Sequence, residues 1–223
     1  MSKSIFITAT GTDVGKTYVS ALLVKKLHNA NLNVGYYKPA LSGLEAPVLS
    51  DVAYVKKTAS IPQSSESMVS YTYQKAVSPH LAAKLEGCPP ELATIKQAFD
   101  VLSSQYAYLT VEGCGGIVCP LRYDSEQKIF LEDIINTLQL ATIVVTDAAL
   151  GSINSTVLTV EYLKQKNITI KGIIVNNYDA NDSMQQDNVK MFAELTRLPI
   201  LALVPPNAQT IDISIQQLME IYQ

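Results

Sequence analysis

Two observations predict an α/β fold for this chain, with a doubly wound, mostly parallel sheet and helices on both faces. Short apolar runs rich in Val, Ile, Leu or Tyr recur along the chain and are separated by helical stretches. The first run leads through a loop of small residues directly into a helix. The 223 residues contain no internal repeat, linker or low-complexity segment. We therefore expect a single domain over residues 1–223.

Six runs of apolar and β-branched residues are predicted to be strands. Most of them end at a polar or charged residue. Because ligands of open α/β sheets lie beyond the carboxyl ends of the strands, these polar residues are expected to face one crevice. The predicted strands are Ser4–Thr8, Asn33–Tyr37, Tyr108–Glu112, Ala141–Thr146, Gly172–Asn176 and Pro199–Val204, and the polar residues are Lys38, Glu112, Asp147 and Asn176.

Between the strands, apolar residues at helical spacing predict helices that bury one face in the core. A shorter run, Met68–Tyr73, is interpreted as an additional edge element. The aperiodic stretch 41–50, with its Gly and Pro, is interpreted as an active-site loop. The helical stripes are Val19, Leu22, Leu23 and Leu27 in the first helix, Leu92, Ile95, Phe99 and Leu102 before the third strand, and Ile215, Leu218, Met219 and Tyr222 in a C-terminal docking helix.

Composition argues against several classes of protein. The net charge is -3 and the Lys and Arg residues are scattered, so no basic surface for nucleic acid is expected. No apolar run approaches the roughly 20 residues that a membrane span needs. We therefore expect a soluble, cytoplasmic protein. The three cysteines are interpreted as reduced thiols, and a metal site or disulfide at Cys114 and Cys119 is the less favoured alternative.

The loop after the first strand predicts a phosphate-binding site. It reads Gly-Thr-Asp-Val-Gly-Lys-Thr over residues 11–17 and enters a helix at its last residues. Backbone N–H groups and the helix N-terminus then point at one spot, where a polyphosphate fits. Lys16 is placed to reach the outer phosphates, and the Thr17 hydroxyl to complete the shell of a magnesium ion. The usual first glycine of the motif is replaced by Thr10, so the loop is a variant.

Three charged residues elsewhere are candidates for the same site. Glu112 ends a predicted strand and is followed by a glycine-rich turn, so it is the best candidate for a metal-binding carboxylate. Asp51 opens a predicted helix over residues 51–58 and is equally compatible with a helix N-cap. Lys38 ends the second predicted strand before a proline. There it would neutralise a phosphoryl group or an anionic substrate, with a surface role as the alternative.

With these residues in place, the chain resembles the dethiobiotin synthetases of biotin biosynthesis. The resemblance covers nearly the whole chain and rests on segments that occur in order. They are Gly-Thr-Asp-Val-Gly-Lys-Thr (11–17), Tyr-Lys-Pro-Ala-Leu-Ser-Gly (37–43), Ser-Asp (50–51), Ser-Pro-His (78–80), Val-Glu-Gly-Cys-Gly-Gly (111–116), Leu-Gly-Ser-Ile-Asn (150–154) and Val-Asn-Asn (175–177).

The resemblance implies a P-loop nucleotide-hydrolase fold and an ATP- and magnesium-dependent ligase. Such an enzyme closes 7,8-diaminononanoate with carbon dioxide to dethiobiotin and releases ADP and phosphate. The diamine adds to carbon dioxide as a carbamate, the carbamate oxygen takes the γ-phosphoryl group, and the second amine closes the ring. In this family the loop usually begins Gly-Thr-Asp-Thr-Asp/Glu, whereas here Ala9-Thr10-Gly11 precedes Thr12-Asp13. We expect this displaced glycine to bear on loop closure or substrate contacts.

The resemblance also assigns roles to residues. Lys38, Lys16 and Thr12 are the implied catalytic residues, and Thr17, Asp51 and Glu112 surround the magnesium ion. The nucleotide contacts implied are Asp13, Val14, Gly15, Lys16, Thr17, Tyr18, Asp51, Glu112, Gly113, Cys114, Gly115, Asn176, Asn177, Pro205, Pro206 and Asn207, with Asn176 at the adenine edge. The substrate contacts implied are Thr12, Lys38 and Ser42, together with Gly151, Ser152 and Asn154 of a second subunit that holds the substrate carboxylate in a homodimer.

Other P-loop proteins are the alternatives. A deviant P-loop switch ATPase of the partitioning or positioning type would act on a protein or membrane partner, but its loop carries a lysine where this chain has Gly11. An amidating ligase of the cobyrinic-acid type needs a glutaminase partner or domain, and we expect no room for that domain in 223 residues. A nucleotide-binding subunit of a larger assembly stays open. We assign no chemistry to His80.

Overall fold

A seven-stranded parallel sheet with helices on both faces forms the centre of the computed structural model, which describes residues 2–45 and 50–222. The predicted fold class is therefore confirmed. The strands are β1 (Lys3–Ala9), β2 (Val34–Ser42), β3 (Val69–Tyr73), β4 (Tyr108–Glu112), β5 (Pro120–Tyr123), β6 (Lys128–Phe130), β7 (Ala141–Thr146), β8 (Ile170–Asn176) and β9 (Ile200–Val204). The helices are α1 (Lys16–Asn29), α2 (Asp51–Ala59), α3 (Pro79–Glu86), α4 (Leu92–Gln105), α5 (Leu131–Leu138), α6 (Ser152–Gln165), α7 (Ser183–Thr196) and α8 (Ile215–Ile221).

The order of strands in the sheet is β3-β2-β4-β1-β7-β8-β9, so β1 lies at its centre. The chain first builds one half of the sheet, from β2 to β4, and then the other, from β7 to β9. The direction of winding therefore reverses beside β1, and the loop that follows β1 lies at this switch point, where ligands of open α/β sheets bind.

Each face of the sheet carries its own hydrophobic core, because alternate strand residues point to opposite faces. On one face, α1, α2 and α8 cover a cluster that includes Ile5, Ile7 and Tyr36. On the other face, α3 to α7 cover a cluster that includes Phe6 and Tyr37. Neighbouring residues of β1 and of β2 thus belong to different cores. This alternation decides which side chains reach the phosphate loop.

The second strand is longer than predicted. It continues from Val34 through Pro39 to Ser42, so Lys38 lies inside the strand and not at its end. β2 pairs with β4 only as far as Tyr37 and pairs with β3 beyond that point. The missing N–H of Pro39 is tolerated because it falls where β2 has become an edge strand. The predicted active-site loop 41–50 is thus shortened, and its residues 46–49 lie outside the described residues.

Two smaller β elements lie outside the six predicted strands. The run Met68–Tyr73 does form the edge strand β3, preceded by a 3₁₀ turn at Ser65–Met68. The antiparallel pair β5 and β6 was not predicted, because strands of four and three residues give little alternation.

The C-terminal stripe packs on the chain's own sheet, where Leu218 and Tyr222 are fully buried. Across the described part of the chain, no helix is long and apolar enough to cross a bilayer.

Candidate active site

The phosphate loop connects β1 to α1 and has the form of an anion cradle. Gly15 caps α1 in the left-handed conformation, with φ at 92°, and no side chain caps the first N–H groups of the helix. A Cβ at this position would lie 2.1 Å from Nδ2 of Asn176, so both the backbone and the neighbouring amide require glycine. The free N–H groups at the start of α1 suit an anion.

Lys16 is the first residue of α1 and is buried beneath the loop. Its Nζ donates a hydrogen bond to the carbonyl oxygen of Gly11 at 3.1 Å. Burial, and next the positive charge of Lys38, lower the pKa of Lys16 below its ordinary value. An anion placed here would relieve both effects, which is what a phosphate-binding lysine requires.

Lys38 reaches the same place from β2. Its Nζ lies 2.7 Å from Oδ2 of Asp51 and 2.7 Å from Oε1 of Glu112, and 3.3 Å from the carbonyl oxygen of Gly113. Burial disfavours the charged form of Lys38, but the carboxylates of Glu112 and Asp51 outweigh it and raise the pKa. Lys38 is therefore a buried, protonated cation. The alternative of a surface lysine is wrong.

Glu112 ends β4 and is fully buried. Its Oε1 accepts hydrogen bonds from Thr17 Oγ1 at 2.7 Å and from Lys38 Nζ at 2.7 Å. Its Oε2 accepts from the hydroxyl of Tyr36 at 3.0 Å. Burial, followed by the charge of Glu112, raises the pKa of Tyr36 well above its ordinary value, so this hydroxyl stays protonated and remains a donor.

Tyr36 was not among the predicted site residues. One signal in the sequence points to it: it stands two residues before Lys38 and so lies on the same face of β2. The register completes the argument, because Tyr36 pairs with Thr110 and Glu112 is the next residue of β4 on that face. A tyrosine in a strand is otherwise an ordinary core residue, which is why the sequence alone did not single it out.

The structure decides between the two interpretations of Asp51. The N-cap of α2 is Ser50, whose hydroxyl accepts a hydrogen bond from the N–H of Ala53 at 3.3 Å. The carboxylate of Asp51 is therefore not needed as a cap and turns to Lys38 instead. Burial would raise the pKa of Asp51, but the positive charge of Lys38 and its hydrogen bond to the carboxylate outweigh burial and lower the pKa overall.

These residues fit a magnesium ion that is shared with a nucleotide. Thr17, Asp51 and Glu112 supply one hydroxyl and two carboxylates, the hard oxygen ligands that Mg²⁺ prefers. Within residues 2–45 and 50–222, no group of three or more His, Cys, Asp and Glu side chains is placed to hold a metal by itself. The remaining ligands would come from phosphate oxygens and water. The ammonium of Lys38 now sits between the two carboxylates and supplies the positive charge there.

A cavity of about 870 Å³ opens above these groups. One of its walls is built by the end of β2, where the Ser42 hydroxyl donates to the carbonyl oxygen of Val77 at 2.9 Å. The predicted site residues that line it are Thr12, Asp13, Gly15, Lys16, Thr17, Lys38, Ser42, Asp51, Cys114 and Gly115. Residues from four separate stretches of the sequence thus meet in one cavity.

The residues implied for the adenine base lie on the other side of the loop. Asn176, at the end of β8, is buried and donates from Nδ2 to the carbonyl oxygen of Val14 at 3.0 Å. Its Oδ1 is also buried and has no hydrogen-bond partner among the described residues, so it is an acceptor that a ligand amine would satisfy. Tyr18 donates to the carbonyl oxygen of Ala208 at 2.5 Å and so ties α1 to the segment after β9. The neighbours Asn177, Pro205, Pro206 and Asn207 are exposed.

The segment implied for the substrate carboxylate lies outside this cavity. Gly151 caps α6 in the left-handed conformation with φ at 91°, and no side chain caps that helix. The hydroxyl of Ser152 is buried and has no partner within the described chain, whereas Asn154 is exposed. Leu150 beside them is 88% exposed. The start of α6 thus has no side-chain cap and does not line the cavity above the P-loop.

The cysteines and His80 take no part in this arrangement as ligands. Cys88, Cys114 and Cys119 are all free thiols. Burial raises the pKa of Cys114, whose Sγ donates to the carbonyl oxygen of Ala40, and it raises that of Cys119 to about 12. Both are thiols at neutral pH. His80 stands near the start of α3, which begins at Pro79.

Comparison with known proteins identifies the family. Residues 3–214 match the profile of a family described as an AAA domain. The ATP-dependent dethiobiotin synthetase BioD of Brachyspira hyodysenteriae is 51% identical over 204 residues, 92% of each chain. The enzyme of the same name from Clostridium botulinum strain Langeland is 46% identical over 227 residues, which cover 100% of this chain and 99% of the relative. The chain belongs to the dethiobiotin synthetase family. The predicted resemblance is confirmed, and with it an ATP-dependent ligase of biotin biosynthesis.

Solved structures of other P-loop ATPases share the fold. The cell division protein MinD of Aquifex aeolicus superposes with a TM-score of 0.56 at 13% identity, over 92% of this chain and 82% of that one. A ParA family ATPase of Chlorobium tepidum superposes with a TM-score of 0.56 at 13% identity, over 98% and 97%. At this identity the likeness concerns the fold alone. This chain thus shares its architecture with a cell division protein and a ParA family ATPase.

Proposed function

We propose that the protein uses ATP and Mg²⁺ to join carbon dioxide to 7,8-diaminononanoate and closes the cyclic urea of dethiobiotin, through a carbamate and a carbamic-phosphoric anhydride. Membership of the dethiobiotin synthetase family supports the overall reaction. The observation that supports the division of roles is the convergence of Lys38, Thr17, Asp51 and Glu112 beneath one cavity.

The phosphate loop would bind the triphosphate of ATP. The N–H groups of residues 13–18 and the start of α1 cradle the phosphates, and Lys16 donates to the outer ones. Thr17, Asp51 and Glu112 hold the magnesium ion, which supplies neutralisation of the charge that develops on the transferred phosphoryl group. Asn176 offers its buried Oδ1 to the amine of adenine, with Asn177 and residues 205–207 around the base.

Lys38 would act on the reacting atoms. One amine of the substrate adds to carbon dioxide and loses a proton, which gives a carbamate that the Lys38 ammonium stabilises. A carbamate oxygen then forms a bond to the γ-phosphorus while the bond to the oxygen of ADP breaks. The second amine attacks the carbonyl carbon, phosphate leaves with the former carbamate oxygen, and the amine proton is released. Thr12 and Ser42 line the cavity and are proposed to bind the diamine or its carbamate.

The proposed active species is a homodimer in which α6 of one subunit completes the site of the other. The start of α6 is open and bears a buried, unpaired hydroxyl at Ser152. Apolar side chains near it are exposed: Leu150 at 88%, Leu158 at 61% and Val118 at 60%. A second subunit would bury these side chains and bring the helix N-terminus to the substrate carboxylate. The cytoplasmic location and the absence of a nucleic-acid partner stay predictions of the sequence.

A reconstitution with omissions tests the reaction. The purified protein is incubated with ATP, Mg²⁺, bicarbonate and 7,8-diaminononanoate, and each component is left out in turn while phosphate release and product mass are followed. We expect phosphate release that needs the diamine and a product with the mass of the cyclic urea. Phosphate release that is indifferent to the diamine would instead favour a switch ATPase. An absence of any release would refute the enzymatic proposal.

A mixture of two inactive variants tests the shared site. Lys38→Ala removes the lysine of one subunit, and Ser152→Asp places a negative charge where the partner's substrate carboxylate is proposed to bind. In a two-fold dimer, each mixed dimer has one site that carries neither substitution. Equal mixing makes about half of the dimers mixed, so about a quarter of wild-type activity should return. Restoration near zero, with mixed dimers demonstrated by sedimentation, would place both residues in one subunit's site and refute the shared arrangement.

A further inference from the structure

The carboxylate of Glu112 accepts hydrogen bonds at both of its oxygens, and the proposed reaction assigns no role to the bond from Tyr36. Its Oε1 meets Thr17 and Lys38, which face the cavity. Its Oε2 meets the hydroxyl of Tyr36 at 3.0 Å, and both residues are fully buried. Glu112 therefore cannot rotate to offer both oxygens to a cation without losing this hydrogen bond and leaving the Tyr36 hydroxyl unpaired in the core.

Tyr36 is itself fixed along its backbone. On one side it pairs with Thr110 of β4. On the other side the side chain of Gln63 takes the place of a neighbouring strand: its Oε1 accepts from the N–H of Tyr36 at 2.8 Å and its Nε2 donates to the carbonyl oxygen of Tyr36 at 3.0 Å. Gln63 is buried as well. Gln63 thus satisfies the N–H and the carbonyl oxygen of Tyr36 on one side of β2, while the other side of the strand is in register with β4.

We propose that Tyr36 is a positioning residue of the magnesium site: its hydroxyl binds Oε2 of Glu112 and so directs Oε1 alone at Thr17 and the incoming cation. This inference rests on the proposed function. Groups that hold a ligating carboxylate from behind set its orientation and therefore the affinity for the metal. Tyr36 touches neither substrate nor metal in this scheme and acts through Glu112.

The chain provides a matched control at the next position. Tyr37 is also fully buried in β2, but it lies on the opposite face of the sheet and belongs to the other hydrophobic core. Its hydroxyl bonds to Ser70 at 2.6 Å and not to Glu112. Tyr37→Phe therefore removes the same atom from the same strand without touching the proposed site. A loss of metal affinity that comes from a less tightly packed β2 would appear in both variants.

The test is the binding of Mn²⁺, a spectroscopic substitute for Mg²⁺, to the protein saturated with ADP, measured from the signal of free Mn²⁺ by electron paramagnetic resonance. We expect Tyr36→Phe to weaken Mn²⁺ binding about tenfold, and Tyr37→Phe to change it by less than about twofold. Binding of ADP without metal should be alike in all three proteins. Replacement of Tyr36 by 4-aminophenylalanine, which restores a donor at the same place, should recover most of the affinity.

The other outcomes overturn the inference. Equal Mn²⁺ affinity of Tyr36→Phe and the wild type would show that the hydroxyl does not position Glu112, and equal losses in Tyr36→Phe and Tyr37→Phe would reduce the effect to packing. Tyr36→Met, which also lacks the hydroxyl, is measured in parallel so that the result does not depend on the folding of one variant. Failure of the wild type to bind Mn²⁺ with ADP would overturn the proposed function together with the inference. Normal binding by the wild type and an unchanged affinity in Tyr36→Phe would overturn the inference alone.

Discussion

Removing the ammonium of Lys38 should destabilise the protein as well as stop ring closure, and magnesium should offset the loss. Lys38→Ala leaves Glu112 fully buried and without the cation that now lies 2.7 Å from its Oε1. Breaking a buried ion pair by removing one partner costs about 3–5 kcal/mol. Asp51 adds little to this figure because its side chain is 37% exposed and water screens it.

For a chain of this size, about 3–5 kcal/mol corresponds to a fall in melting temperature of about 6–20 °C. The assay is thermal unfolding of Lys38→Ala and the wild type, first in a chelator and then with Mg²⁺ and ADP. Because Mg²⁺ would take over the charge that Lys38 supplies, it should stabilise the variant more than the wild type. Product formation by the variant should be abolished, whereas ADP binding should be largely retained.

The control is Lys96→Ala, which breaks an exposed pair with Asp100 one helical turn away. Such a pair contributes about 0.3–0.5 kcal/mol, so its loss should lower the melting temperature by about 1–2 °C. If Lys38→Ala melted like Lys96→Ala in chelator, Lys38 would not be balancing a buried charge. If Mg²⁺ then raised the melting temperatures of Lys38→Ala and wild type equally, the exchange of lysine for magnesium would be refuted.

Three further predictions concern the same site. Gly15→Ala forces a Cβ within 2.1 Å of Asn176 Nδ2 at a φ of 92°, so urea unfolding should show a loss of about 1–3 kcal/mol and calorimetry a loss of ADP binding. Thr17→Val removes the hydroxyl that donates to Glu112, so Mg²⁺–ADP should bind about tenfold more weakly while ADP alone binds unchanged. Because the folded-state pKa of Asp51 lies below its ordinary 3.8, its contribution to stability is present above that pH and is lost as the pH falls through the lowered pKa. Asp51→Asn should therefore flatten this acid limb of melting temperature against pH, and an unchanged limb would contradict the pairing.

The sequence was sufficient to bring Lys16, Thr17, Lys38 and Glu112 to one place. It identified parallel strands, and the carboxyl ends of such strands meet at one edge of the sheet. The order of strands and loops along the chain is enough to bring these ends together, without any distance. The prediction was correct for Lys38 even though the predicted end of β2 was wrong. The strand β2 continues beyond the ends of its neighbours, and the side chain of Lys38 still reaches Glu112 beside the phosphate loop.

What the sequence did not provide depends on pairing between distant residues. The link from Tyr36 to Glu112 needs the register of β2 against β4, and a shift of one residue would turn Tyr36 to the other core. The role of Asp51 needed the cap geometry, since Ser50 and Asp51 are both good N-cap residues and only one of them bonds to a helix N–H. The pair β5 and β6 was missed because strands this short carry too few residues for a periodic pattern.

The pKa values of the two lysines of the site are shifted in opposite directions, and in the proposed reaction this difference gives the two lysines separate parts. Lys38 already has two carboxylates, which raise its pKa, whereas Lys16 bonds to the neutral carbonyl of Gly11 and has a lowered pKa. A polyphosphate arriving without magnesium would satisfy Lys16 and leave Lys38 held by Asp51 and Glu112. Magnesium arriving with the nucleotide would compete for these carboxylates and release the ammonium toward the cavity. The Lys38 ammonium would therefore leave Asp51 and Glu112 only after both the phosphates and the metal have bound. This is the stage at which the proposed carbamate requires its charge.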